Sequence, residues 1–80
     1  MRNVKVEVLF QIIATRDAIV GKVYDALLLE DGDLVPDDYK AYDGQVNEFG
    51  DTVCFFDEVG QDVAVPLEWA EDSLKVIEVN

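Results

Sequence analysis

The sequence predicts a small all-β domain, and three observations carry that expectation. The N-terminal segment alternates apolar and polar residues with period two. The second half breaks into short apolar runs separated by glycine-containing turns. The chain has 80 residues, of which 50% are hydrophobic and 10% aromatic. That is enough for one compact core but too short for two ordinary domains, so residues 1–80 are expected to form a single domain.

The elements follow in order. Over residues 3–14, Val4, Val6, Val8, Phe10 and Ile12 fall on one face, and Lys5, Glu7, Leu9, Gln11 and Ile13 on the other. This β-branched, period-two run reads as a first strand with one buried face. Residues 15–29 admit two readings. Ile19, Val20, Val23, Tyr24, Leu27 and Leu28 recur at helical spacing behind Thr15, a possible N-cap. Gly21 and the β-branched residues favour instead a loop followed by a strand from Lys22 to Leu29. Residues 30–43 are a loop, with Asp-Gly and Pro-Asp turn chemistry. Short strands are then expected at Gln45–Phe49, Thr52–Asp57 and Asp62–Val65, separated by turns at Gly50-Asp51 and Glu58–Gln61. Pro66 ends the last of these, because it has no N–H to give a ladder. Leu67–Ser73 suits one short helical turn carrying Trp69. Leu74, Val76, Ile77 and Val79 form a closing strand. The expected core is Val4, Val6, Val8, Phe10, Val23, Leu27, Val53, Phe55, Val63, Val65, Val76 and Val79.

The charge is large and uneven. The formal net charge is −12, from 18 acids against 6 bases, with no histidine. Residues 1–24 are slightly basic, whereas residues 25–74 hold fifteen acids and only Lys40. Phosphates would be repelled, so direct binding of nucleic acid or of an anionic membrane is not expected. No apolar run is long enough to span a bilayer, and Glu7 and Gln11 interrupt any leader-like stretch, so a cytoplasmic protein is expected. Cys54 is the single cysteine and sits in the apolar run Thr52–Phe56, where it reads as a small buried hydrophobe.

The order of elements resembles that of small SH3-like barrels, and more closely the short acidic ones found among phage-encoded proteins. The likeness rests on Val20-Gly21-Lys22-Val23-Tyr24, on Asp57-Glu58 and Gly60 at a hairpin tip, on Val65-Pro66 before a short turn, and on the closing Lys75-Val76-Ile77-Glu78-Val79. It implies a barrel of about five strands, with a long acidic loop and a short helical turn before the last strand. It also favours strand over helix for residues 22–29. It carries no catalytic residue, since that group shares no active site.

The residues themselves point away from catalysis. Without histidine the commonest general base is missing, and Thr15, Thr52 and Ser73 sit in no triad-like setting. Adjacent acids such as Asp37-Asp38 and Glu71-Asp72 are unsurprising at this acid content. Asp31-Gly32-Asp33 begins like a calcium loop, but Val35, Pro36 and Tyr42 occupy the places where an acidic ligand, glycine and glutamate would be needed. No enzyme activity, cofactor or metal is therefore expected.

The acidic stretch has three readings: solubility, attraction to a basic protein surface, or imitation of a phosphate array. Alternate residues on a strand face lie about 6.6–6.8 Å apart, and phosphates advance about 3.4 Å per base. Carboxylates on two strands and a loop could thus approximate a short phosphate run. The expected partner-binding residues are Asp31, Asp33, Asp37, Asp38 and Asp43 in the loop, with Glu48, Asp51, Asp57 and Glu58 beyond it. Glu68, Glu71 and Asp72 are expected to fall outside this patch. The expected function is a phage-type accessory protein, a monomer or weak homo-oligomer, that inhibits a basic, nucleic-acid-binding host protein. The alternatives are an adaptor using Tyr24, Tyr39, Tyr42 and Trp69 as a peptide groove, or a small virion component. Against a groove, Trp69 would pack the barrel end while Tyr39 and Tyr42 shield the loop.

Overall fold

A computed structural model of the chain describes residues 1–39, 44–70 and 72–78. Among these residues there are five strands: β1 (Arg2–Val8), β2 (Val23–Leu29), β3 (Thr52–Phe56), β4 (Asp62–Pro66) and β5 (Leu74–Glu78). A 3-10 turn, Leu67–Trp69, lies between β4 and β5. The strands pair antiparallel in one open sheet, in the order β4-β3-β2-β1-β5. The chain is all-β, as its period-two runs predict.

Register decides which residues are inside. Val4, Val6 and Val8 of β1 are buried. Val6 stands opposite Tyr24 on β2 and Val76 on β5, and Val4 stands opposite Ala26. Cross-strand partners share a face, so Tyr24, Ala26 and Leu28 turn inward with β1. The expected core members Val23 and Leu27 therefore have the wrong phase. Val23 is exposed, and Leu27 packs on the opposite face of the sheet. The inner cluster also takes Val53 and Phe55 from β3, Val63 and Val65 from β4, and Leu74 from β5. For both edge strands to reach one cluster, the sheet must curl. Val76 packs at the margin of this cluster, and Val79 lies outside the described residues.

The first strand is shorter than its sequence suggests. After Val8 the chain leaves the ladder, and Leu9 and Phe10 both donate backbone N–H to the Ser73 carbonyl. Phe10, expected in the core, is 63% exposed, while Ile12 is buried. Residues 15–22 form a loop, not a helix. Lys22 N–H donates to Ile19 O across a turn in which Gly21 takes φ +90°, a region open to glycine without strain.

The long β2–β3 connection is not a plain loop. Gly32 N–H donates to Asn47 O, Asn47 N–H to Asp33 O, and Val35 N–H to Gln45 O. A single bridge joins Leu34 to Val46, so Gln45–Phe49 is one side of a short ribbon and not a strand of the sheet. Asn47 ties the ribbon to β3. Its Nδ2 donates to Glu30 O and Gly50 O, while its Oδ1 accepts from Phe49 N–H and Thr52 Oγ1. Beyond the ribbon, Val35 and Tyr39 fold over the outer face of the sheet. They make a second cluster with Leu29 and Cys54, flanked by Leu27 and Ala64. Tyr39 stacks on Phe56 with ring centroids 4.8 Å apart and donates its hydroxyl to Cys54 O. β3 is thus covered on both faces, which is why Thr52, Val53, Cys54 and Phe55 are buried in succession.

Candidate partner-binding surface

The acids expected to bind a partner fall into distinct structural roles. Asp57 belongs to the interior: it is only 6% exposed. Its Oδ2 accepts from Thr15 Oγ1 at 2.6 Å, and its Oδ1 accepts from the backbone N–H groups of Val59 and Gln61. Burial alone would raise its pKa. The hydrogen bonds from Thr15 and from the backbone of Gln61, Val59 and Gly60 outweigh burial and hold the carboxyl below its ordinary value. The expectation that Asp57 meets a partner is therefore corrected: its carboxylate builds the β3–β4 turn, where Gly60 adopts φ +79°. Thr15 is not a helix cap but the link between this turn and the β1–β2 loop, since it also accepts from Asp17 N–H.

Two more of the expected acids face internal cations. Glu58 pairs with Lys22, and the hydrogen bonds from Lys22 and Tyr24 hold its pKa below the ordinary value. Asp33 accepts from Glu30 N–H and lies 3.0 Å from the amino terminus, which holds its pKa down as well. Arg2 bridges Glu78 and Glu30, and Lys5 pairs with Asp25. These pairs are exposed, so their effect on stability is small. Their consequence for recognition is larger, because they use Arg2 and Lys5 of β1, and Lys22 just before β2, inside the chain.

Asp31, Asp38, Glu48 and Asp51 are exposed and make no ion pair among the described residues. Asp37 is also exposed. Asp43 lies outside the described residues. The ribbon sets Asp31 beside the Asn47-Glu48 side. Asp37 and Asp38 precede Tyr39, toward the Phe56 end of β3. The exposed acids thus run along the ribbon and loop that cross the outer face of the sheet.

A second group joins them. Leu67 N–H donates to Asp51 O, and the Phe49 ring meets the Trp69 ring edge-on at 5.6 Å. The 47–51 turn therefore sits against the 3-10 turn, which brings the backbone of Glu68 near that of Asp51 although the sequence separates them. Trp69 does not pack the end of the sheet. It is 70% exposed, and Phe49 is 56% exposed. Tyr24 is in the core, Tyr39 shields the outer face, and Tyr42 is outside the described residues. Phe49 is the residue that sequence reasoning missed. Nothing in Asn47-Glu48-Phe49-Gly50 distinguishes an exposed aromatic from one strand position among others.

Two cavities adjoin Trp69. One, of about 320 Å³, lies under the 45–49 segment against Cys54 and Ala64. The other, of about 460 Å³, lies between residues 11–14 and Ala64–Pro66. Among the described residues, no group of three or more acidic or cysteine side chains is placed to hold a metal ion. Nor is any helix long and apolar enough to cross a membrane. The chain matches no protein-family profile, no curated protein and no solved structure.

Proposed function

We propose that this chain is a non-catalytic, phage-type accessory protein of the SH3-like kind, which binds a basic, nucleic-acid-binding host protein through its acidic face and inhibits it. The observation that carries this reading is the partition of charge. Of the described bases, Arg2, Lys5 and Lys22 are each paired with an acid of the chain and only Arg16 and Lys75 are not, while Asp31, Asp38, Glu48 and Asp51 stand exposed without an ion pair among the described residues. A surface organised this way attracts cationic partners and repels phosphate. A curled five-stranded meander with β1 between β2 and β5, and a 3-10 turn leading into β5, supports the SH3-like assignment.

The test is capture from bacterial lysate at low and high salt, read by mass spectrometry. Wild-type protein retains a nucleic-acid-binding protein at low salt and loses it at high salt. The combined change Asp31→Lys, Asp37→Lys and Asp38→Lys abolishes capture. Asp33 is left in place because its carboxylate holds Glu30 N–H and the amino terminus. Capture that survives the triple reversal, with the circular dichroism spectrum unchanged, contradicts the reading.

A further inference from the structure

We propose that the track on either side of Trp69 is the docking site for an extended, apolar segment of the partner, flanked by lysine or arginine. The inference rests on the reading above, that the partner is a basic protein. Ala64, Pro66 and Trp69 line both cavities, so the two form one track across the end of β4. Its walls are apolar where a monomer gains nothing by exposing them: Trp69, Phe49 and Ile13 all stand largely in solvent. Exposed apolar patches of this kind mark sites of protein interaction, whose anchors are often aromatic.

The position favours an extended occupant. Among the described strands β4 is at the edge, next to β3, and edges accept a further strand through their backbone groups. Two cavities separated by one indole suit two apolar side chains of the same segment.

Charge decides what else the occupant carries. No lysine or arginine is among the described residues lining either cavity. Glu48 and Asp51 bracket Phe49, Glu68 precedes Trp69, and Asp72 precedes the lining residue Ser73; all four are exposed. A second copy of the chain, itself at −12, is repelled from such a rim, as is nucleic acid. A segment with cationic flanks is attracted to it.

The full chain, immobilised and panned with a library of short random peptides, tests this. Peptides that prefer wild type over Trp69→Ala are expected to carry two apolar residues flanked by lysine or arginine. In fluorescence anisotropy they should bind wild type at least about tenfold tighter than Trp69→Ala or Phe49→Ala. Trp69 is the only tryptophan in the chain, so its emission should shift to the blue as each peptide saturates. Should Trp69→Ala lose its fold, Ile13→Ser, at a fully exposed position lining the second cavity, replaces it. The proposal is overturned if no peptide prefers wild type, if enriched peptides lack basic residues, or if they bind the variants equally. In the last case lysate capture by wild type, lost on reversal of Asp31, Asp37 and Asp38, would leave the acidic-face reading standing while removing the groove from it.

Discussion

Replacing Asp57 by alanine would strand three donors at once: Thr15 Oγ1 and the backbone N–H groups of Val59 and Gln61. The Thr15 hydroxyl is buried, whereas the two turn N–H groups are only partly so; leaving a buried donor unsatisfied costs about 1–3 kcal/mol, so Asp57→Ala should lower the stability of the domain by that order in urea denaturation. Asp57→Asn keeps one acceptor oxygen and should cost less. The two variants also carry a pH signature. The folded carboxyl titrates below its ordinary value, so the stability it contributes is present above the unfolded pKa and lost as pH falls through the folded one. The gap between wild type and Asp57→Asn should therefore narrow between about pH 7 and about pH 3. A gap that stays constant over that range would mean that the carboxylate's charge contributes nothing. From the sequence, Asp57-Glu58 reads as an exposed acidic pair. Only the fold brings Thr15, forty-two positions away, against it.

At the scale of elements, β3 is the strand held from both sides, by the inner core and by the folded β2–β3 connection. Cys54 reports on that cover. Burial pushes its thiol up to about 11, so the reactive thiolate is scarce as well as shielded. Alkylation should be slow in the native protein, and Tyr39→Ala, which removes both the stack on Phe56 and the hydroxyl held by Cys54 O, should accelerate it by more than about tenfold through local opening. Equal rates in the two proteins would show that the loop does not seal this face. The strands themselves were largely legible in the sequence. Period two marked β1, and Gly60 and Pro66 bounded β4. The phase of β2 was not, because Val23-Tyr24-Asp25-Ala26-Leu27-Leu28-Leu29 is apolar on both faces and only pairing with Val4 and Val6 selects one. The ribbon was hidden for a related reason: its order comes from Asn47, a residue whose composition-level meaning is merely "loop".

The whole molecule carries its negative charge on a compact body, about 30 × 25 × 23 Å, and this sets how it responds to salt and acid. The ion pairs at Arg2, Lys5 and Lys22 are exposed and weak. Repulsion among the remaining carboxylates acts across the whole surface and favours the expanded chain. Screening should therefore stabilise the fold, even though it loosens the ion pairs. A gain of about 1 kcal/mol corresponds to a rise in Tm of about 4–8 °C for a domain this size, and that is the shift expected in calorimetry between dilute buffer and half-molar sodium chloride. Acid should act in the opposite direction, because Asp33, Asp57, Glu58 and Glu78 have lowered pKa values in the folded state, and their contributions vanish as pH falls through those values. A Tm that falls steadily with added salt would instead mean that the ion pairs outweigh the repulsion, and the exposed acids would then be too dispersed to act as one field on a partner.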